Sequence, residues 1–193
     1  MTAEPGIRAD VRRNRAALLE AGRALFERDG ADMVFEDVAR SAGVGKGTLY
    51  RHFPTRDHLV AALLVATFEH LAEAADELRE QREPWEAYAS WLALFDRMPA
   101  PYRGLQARLV AALQDDASVI AVACQPMKDA FGRLFARVQE AGLVRADLRA
   151  ADLLSVVSGL PQGLRTPDAP HPYLPVILDG TRARSSPGSL SRG

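Results

Sequence analysis

The spacing of apolar residues constrains this chain most. Apolar residues recur at about 3.6 residues almost throughout, and period-two alternation is nearly absent. The first spacing lines apolar side chains along one side of a helix, whereas the second is typical of half-buried strands. Only six Thr and three Ile occur among the 193 residues, which weakens any prediction of a sheet. The sequence therefore predicts an all-α protein.

The order of the predicted helices indicates two regions. Three shorter helices come first, at about 10–29, 35–42 and 46–53. The later helices are predicted at about 56–82, 84–97, 102–113, 119–141, 147 or 150–159, and 173–184. We expect four segments: a flexible arm over 1–9, a three-helix domain over 10–56, a helical bundle over 57–184 and a disordered tail over 185–193.

Composition and motifs exclude several classes of protein. The net charge of −1 excludes a globally basic nucleic-acid binder, so any DNA binding has to rest on a local basic surface. The lone Cys124 excludes a disulfide framework and a cysteine-based zinc site. The four histidines form no metal-binding pair, and no nucleophile elbow, phosphate loop or dinucleotide fingerprint occurs. We therefore expect no catalytic site, no metal and no cofactor.

The expected location follows from two absences in the sequence. No apolar stretch is long enough to predict a membrane span, so no membrane partner is expected. The first residues mix Ile7 and Val11 with charged side chains and lack an apolar signal core. Both observations favour the cytoplasm.

The segment 35–53, FEDVARSAGVGKGTLYRHF, carries the strongest local signal. Two short amphipathic helices flank Gly43, whose freedom to adopt a positive φ suits the tight turn of a helix-turn-helix. Leu49 and Phe53 are predicted to face inward from the second of these helices, against Leu18 and Phe26. Its other side holds only hydrogen-bond donors and cations of kinds that suit the DNA major groove: Lys46, Thr48, Tyr50, Arg51 and His52.

Two further glycines, Gly45 and Gly47, remove side-chain bulk where this helix begins. The backbone can then approach a phosphate or a base edge closely. An ordinary helical hairpin with a solvated charged side accounts for the same spacing, and the residues alone leave both interpretations open.

The stretch GVGKGTLYRHF at 43–53, followed by PTRD at 54–57, resembles the recognition-helix signature of the tetracycline-repressor (TetR) family of bacterial transcription regulators. The preceding Phe26, Gly30 and DVA at 37–39 also match, so the similarity covers about 12–65. The resemblance implies that the following residues bind DNA: Lys46, Gly47, Thr48, Tyr50, Arg51, His52 and Arg56. For Arg51, a solvated position is the alternative.

Three features near the signature bear on how it binds. Arg12, Arg13 and Arg15 are interpreted either as a basic arm near the DNA backbone or as a solvated first helical turn. Val34 stands where the family commonly has a Ser or Thr that caps the second helix, and valine cannot cap. Glu36 lies where many relatives have a basic or neutral residue, and its charge opposes phosphate if it faces the DNA.

The resemblance implies a homodimeric regulator of transcription, with a repressor favoured over an activator. A small-molecule effector then releases the protein from its operator, a stretch of double-stranded DNA. A helical protein-interaction module without DNA binding is the alternative function. A small helical enzyme has no supporting constellation of residues.

The later helices offer candidate sites that the residues alone do not distinguish from ordinary core. The large side chains available to line an effector pocket are Trp85, Tyr88, Trp91, Phe95, Tyr102, Met127, Phe131 and Phe135. This set favours an apolar or aromatic effector. Candidates for the dimer interface on the last two helices are Leu153, Leu154, Val157, Leu160, Val176 and Ile177.

Overall fold

The structure is a computed structural model that describes residues 5–30, 33–98, 106–114, 117–161, 164 and 169–183. Within these residues the regular structure consists of helices, as the sequence predicts. Their bounds are α1 Pro5–Asp29, α2 Phe35–Ser41, α3 Lys46–His52, α4 Arg56–Gln81, α5 Pro84–Asp96, α6 Gln106–Gln114, α7 Val119–Glu140, α8 Ala150–Ser158 and α9 Leu174–Thr181.

Most helix ends lie within a few residues of their predicted positions, and the start of α1 is the main exception. The predicted flexible arm over 1–9 is wrong from Pro5 onward, because α1 begins there. Proline is favoured in the first helical turn, where its missing N–H has no partner to lose. The tail over 185–193 lies outside the described residues, and the predicted functional domains stay predictions.

Single residues at the helix ends explain why the helices end or begin near the predicted positions. Gly30 and Gly142 follow α1 and α7 with φ of 61° and 68°, the left-handed conformation that ends many helices. The hydroxyl of Thr55 accepts the backbone N–H of His58 at 3.4 Å, so Thr55 caps the start of α4. Val34 precedes α2 without a side-chain cap, as predicted.

Contacts divide the chain into two compact units, one of residues 1–69 with 99–125 and the other of 70–98 with 126–193. The first unit contains the helix-turn-helix and is built around fully buried Leu18, Phe26 and Leu49. Gly22 lets α1 approach α4, since a Cβ there would lie 3.1 Å from Leu59.

The second unit has an aromatic core. Trp91 stacks on Phe131 at 4.4 Å and on Phe95 at 5.3 Å between ring centroids. The indole N–H of Trp91 donates to the carbonyl oxygen of Leu71 at 2.8 Å, so the one polar group of this ring is satisfied in the core.

Two sets of polar contacts fix the end of the second unit. The backbone N–H of buried His171 donates to Asp96 Oδ2 at 2.7 Å, and the ring of His171 contacts the Pro161 carbonyl oxygen at 3.1 Å. The backbone N–H of Arg145 donates to the Thr181 carbonyl at 2.9 Å. The contacts of His171 link Pro161 and Asp96 to the chain just before α9.

Helix α4 is long and apolar enough, by length and composition alone, to cross a membrane. Core helices of soluble proteins share both properties. Leu59, Leu64 and Phe68 of this helix are buried within the protein. Because these side chains are buried, the apolar character of α4 is that of a core helix.

Candidate nucleic-acid interface

The turn between α2 and α3 has the geometry that a helix-turn-helix requires. Gly43 adopts φ of 68°, where a side chain is strained, and this residue reverses the chain after Ala42. The backbone N–H of Val44 donates to the Ala39 carbonyl at 3.0 Å, which closes the turn. The prediction that Gly43 forms the turn is confirmed.

Helix α3 has one buried side and one exposed side, as predicted. Leu49 and Phe53 are 0% and 2% exposed. We call the other side the outer face of α3. It comprises exposed Lys46, Gly47, Tyr50 and Arg51, with half-buried Thr48 and His52. Contact of these residues with DNA stays a prediction.

Within the part of the chain that the structure describes, no packing contact explains the absence of a side chain at Gly45 and Gly47. A Cβ added at either position would meet no atom within 4 Å outside the local backbone. Glycine inside a helix costs about 0.5–1 kcal/mol relative to alanine, so folding alone would favour alanine at position 47.

A carboxylate from α2 joins the outer face of α3. The hydroxyl of Tyr50 donates to Glu36 Oε1 at 2.6 Å, and the ring of Tyr50 packs edge-on against Phe35, with 5.5 Å between ring centroids. Sequence reasoning identified Glu36 but did not place it beside Tyr50, because the two residues lie 14 positions apart on different helices. The outer face therefore also carries an acceptor, in addition to the donors that the sequence predicts.

The protonation states of this pair follow from the hydrogen bond. The bond from Tyr50 lowers the pKa of the Glu36 carboxyl, and the backbone N–H of Glu36 and the charges of Lys46 and Arg56 lower it further. The same bond raises the pKa of the Tyr50 hydroxyl. At neutral pH the pair therefore consists of a carboxylate and a protonated phenol.

Arg56 has a structural contact that the sequence does not predict. Its guanidinium donates to the carbonyl oxygen of Met33, and the side chain is half-buried. The contact ties the start of α4 to the chain just before α2. The predicted contact of Arg56 with phosphate stays a prediction.

The arginines near the N-terminus lie well inside α1. Arg13 pairs with Asp10, both on exposed side chains, and Arg15 lies over the ring of Phe53 at 5.5 Å from its centroid. Arg12, Arg13 and Arg15 do not form the first helical turn, because α1 begins at Pro5, and a contact of these residues with the DNA backbone stays a prediction. Arg15 covers the residue that ends α3.

Most of the residues proposed for an effector pocket are packed in the second unit. Trp85 is half-buried, and the guanidinium of Arg182 lies 3.8 Å from its ring centroid. Tyr102 lies outside the described residues. The remaining six are buried: Tyr88, Trp91, Phe95, Met127, Phe131 and Phe135.

Tyr88 places its hydroxyl inside this buried core. Its hydroxyl donates to Thr181 Oγ1 at 3.0 Å, and burial raises the pKa of Tyr88 to about 12. A surface pocket of about 500 Å³ also lies in the second unit, and Gln139, Val144 and Arg145 are among its lining residues. No residue proposed for the effector lines it, so the effector site stays a prediction.

The dimer candidates separate into two groups. Leu153, Leu154, Val157 and Leu160 are buried within the chain, which supports the interpretation as ordinary core that the sequence left open. Val176 is 68% exposed and Ile177 is half-buried. Val156, on the outer side of α8, is 54% exposed.

Among the described residues, no group of three or more His, Cys, Asp or Glu side chains is placed to hold a metal ion. Cys124 is buried, and its thiol contacts the Ala121 carbonyl at 3.3 Å. The fold and the outer face of α3 together define a helix-turn-helix protein with a second helical unit.

Comparison with known proteins gives the family. Residues 18–63 match the model described as bacterial regulatory proteins, tetR family. Residues 83–183, more than half of the chain, match the model described as the C-terminal domain of SbtR-like transcriptional regulators. The chain therefore belongs to the TetR family of bacterial regulators, as its sequence signature predicts.

Individual relatives agree with this assignment. The chain is 38% identical over 71 residues to the HTH-type transcriptional regulator TtgR of Pseudomonas putida, an alignment that covers 35% of this chain and 34% of TtgR. The chain thus spans about a third of the length of that curated relative. The aligned region is only as long as one domain, so the match does not assign the activity of TtgR to this chain.

Solved structures match over most of the chain. The TetR transcriptional regulator SCO0520 of Streptomyces coelicolor is 28% identical, with a TM-score of 0.53 over 89% of this chain and 99% of that chain. RolR, solved in complex with resorcinol, has a TM-score of 0.64 at 22% identity, covering 91% of each chain. The second likeness is one of fold alone.

Proposed function

We propose that this protein is a homodimeric transcriptional repressor that binds an operator in the cytoplasm and leaves it when a small-molecule effector binds. The outer face of α3 is the observation that carries the proposal. Buried Leu49 and Phe53 fix one side of the helix, so Lys46 and Arg51 on the other side are held outward. A short helix with cations on its exposed side fits the major groove.

The proposed DNA contacts follow from the chemistry of each side chain. Lys46 and Arg51 neutralise phosphate charge, while Gly47 lets the helix backbone come close to the duplex. Thr48 and His52 lie at the edges of the outer face and donate hydrogen bonds to phosphates or bases. Arg56 reaches the backbone beside its contact with Met33.

In a two-fold dimer, two copies of the outer face of α3 bind one operator together, and this makes the small DNA interface selective. Two recognition helices about 34–36 Å apart contact successive major grooves on one side of a palindrome. We place the dimer contact on α8 and α9, where Val156 and Val176 are exposed. Pairing of these helices with their copies removes that apolar surface from water.

Effector binding acts by shifting an equilibrium between two states. An apolar or aromatic effector in the second helical region stabilises a state in which the recognition helices are wrongly spaced for the operator. RolR binds the small aromatic resorcinol, which supports this class of ligand for the same fold. Ligand and operator then weaken each other's binding by the same factor.

A protein-interaction module without DNA binding is the other candidate, and two observations favour DNA over it. The exposed side of α3 is cationic, whereas interfaces between proteins are depleted of lysine and rich in apolar side chains at their centre. Gly45 and Gly47 leave backbone open that nothing in the protein covers. Both features suit a phosphate backbone.

Salt dependence of duplex binding tests the proposal. The logarithm of the binding constant should fall with the logarithm of salt concentration, with a slope of about −0.9 per phosphate contact. Lys46→Ala should weaken binding to all duplexes alike and reduce the magnitude of the slope by about 1. Fluorescence anisotropy on a duplex enriched from a random library measures both quantities.

Two variants serve as controls for this experiment. Arg149→Ala removes an exposed cation just before α8 and should leave the slope unchanged. Leu49→Asp should unfold the first unit, whereas Lys46→Ala should keep the wild-type melting temperature. Binding that ignores salt, or no binding to any duplex, would favour the protein-interaction module.

A further inference from the structure

Glu36 is the one acidic side chain that the described contacts place on the outer face of α3. Tyr50 is the only other residue among those described that hydrogen-bonds this carboxylate, and it uses Oε1 at 2.6 Å. Glu36 is half-buried, so part of the side chain stays accessible to a partner. The charges of Lys46 and Arg56 act on the carboxylate and lower its pKa.

The hydrogen bond changes what Tyr50 can bind. A phenol has one hydrogen to donate and keeps lone pairs that accept. In this structure the hydrogen goes to Glu36, so the oxygen of Tyr50 remains as an acceptor. Phosphate oxygens also only accept, so Tyr50 cannot bind phosphate unless the bond to Glu36 breaks.

Both partners are fixed before any DNA arrives. Phe35 packs against the ring of Tyr50 at 5.5 Å, and Phe35 itself is only 9% exposed. Glu36 lies in the first turn of α2, on a helix that begins at the buried Phe35. The two oxygens are therefore positioned by two different helices that pack against each other in one unit.

Exocyclic amino groups are the base-edge donors that match such acceptors. In the major groove, cytosine presents its N4 amino group and adenine its N6 amino group, whereas guanine and thymine present acceptors at the corresponding positions. A carboxylate beside a phosphate would be repelled, but a carboxylate that accepts from an amino group is a favoured pairing for reading cytosine.

We propose that Glu36 is a specificity-determining residue: held by Tyr50, its carboxylate accepts the one free N–H of the exocyclic amino group of a cytosine or adenine in each half of the operator. This inference rests on the proposed DNA-binding function and assigns Glu36 a role that the donor-rich outer face of α3 does not supply. Lys46 and Arg51 then provide affinity for the duplex, and the Glu36–Tyr50 pair provides selectivity at one position.

Selection from a random-sequence duplex library, with the full-length chain, tests the inference. The wild-type protein should enrich a palindrome in which one position of each half-site requires a base with an amino group. Glu36→Ala removes both accepting oxygens of the carboxylate, so that position should lose its preference while the others keep theirs. The discrimination at that position should fall by roughly tenfold.

Two further variants separate a base contact from a general effect of charge. Tyr50→Phe removes the phenol oxygen and should relax the same position. Glu20→Gln removes one negative charge at an exposed site on α1 and should leave the enriched palindrome unchanged. Melting temperatures of all variants should stay near that of the wild type.

The results that overturn the inference differ from those that overturn the proposed function. If Glu36→Ala binds every duplex more tightly and enriches the wild-type palindrome, Glu36 acts only by repelling DNA. If neither affinity nor palindrome changes, Glu36 lies away from the DNA. Failure of the wild-type protein to enrich any duplex rejects the DNA-binding function itself.

Discussion

At the residue scale, Gly47 lies inside α3, and a methyl group added to it would meet no atom within 4 Å outside the local backbone. Under the proposed function, folding and DNA binding make opposite demands at this position. A helix is more stable with alanine than with glycine, whereas a duplex against the helix leaves no room for the added carbon. The residue that is present suits binding at the expense of stability.

Gly47→Ala should therefore raise the free energy of unfolding of the first unit by about 0.5–1 kcal/mol. The same substitution should weaken duplex binding by roughly tenfold, as expected for the loss of one good contact. Thermal denaturation and anisotropy titration measure the two effects. A stabilised protein with wild-type affinity would place Gly47 away from the DNA.

The matched control for this prediction is Gly132→Ala. Gly132 lies in the interior of α7, and a Cβ there also meets no atom within 4 Å. The gain in stability should be similar, and duplex binding should not change. The comparison isolates the contact with DNA from the change in helix propensity.

At the scale of helices, periodicity and end signals predicted the elements well because both are local in sequence. Gly142 marks the end of α7 through its positive φ, and Thr55 marks the start of α4 through its hydroxyl. The start of α1 was missed because Pro5 precedes a charged stretch with few apolar residues, where periodicity carries no signal.

Pro126 is the residue of α7 that departs most from helix chemistry. The sequence predicted that it lies inside the helix, and α7 does run through it from Val119 to Glu140. Proline has no N–H for the carbonyl four residues earlier, which belongs to Val122, and its ring crowds that carbonyl. An exposed proline within a helix therefore lowers the stability of α7.

Pro126→Ala restores an N–H that can donate to Val122, so the free energy of unfolding should rise by about 1–3 kcal/mol. Chemical denaturation followed by far-UV circular dichroism measures the change. Pro175→Ala, in the first turn of α9, is the control, because no hydrogen bond is missing there. A loss of stability in Pro126→Ala would instead mean that packing of α7 depends on the proline.

At the scale of the whole molecule, the surface of α8 and α9 is where we propose that two copies of the chain pair. Four apolar residues that the sequence offered for the dimer contact are buried in the chain itself: Leu153, Leu154, Val157 and Leu160. The exposed valines that remain are Val156 and Val176. Apolar side chains this exposed are stabilised when a second copy covers them.

Val176→Glu should weaken dimerisation by about tenfold or more, because an unpaired charge would be buried in the contact. Sedimentation velocity at several protein concentrations measures this change. Binding to a palindrome should weaken while binding to one half-site should not. Val122→Glu, at a valine that is 65% exposed on α7, is the matched control and should stay dimeric. A dimeric Val176→Glu protein would place the interface elsewhere.

The sequence by itself determined the helical class, the turn at Gly43, the side of α3 that packs inward and the family to which the chain belongs. These features depend on residues within a few positions of one another, so spacing and side-chain type are sufficient to predict them. The prediction of a buried Leu49 and Phe53 and an exposed Tyr50 was confirmed for this reason.

The tertiary structure alone decided which distant groups meet. The hydrogen bond from Tyr50 to Glu36 and the contact of Arg56 with Met33 join residues 14 and 23 positions apart. Whether Leu153 faces the core or a second copy likewise depends on which helices pack against α8. Such contacts depend on the distances between helices. Packing sets these distances, and the local spacing of residues in the sequence does not predict them.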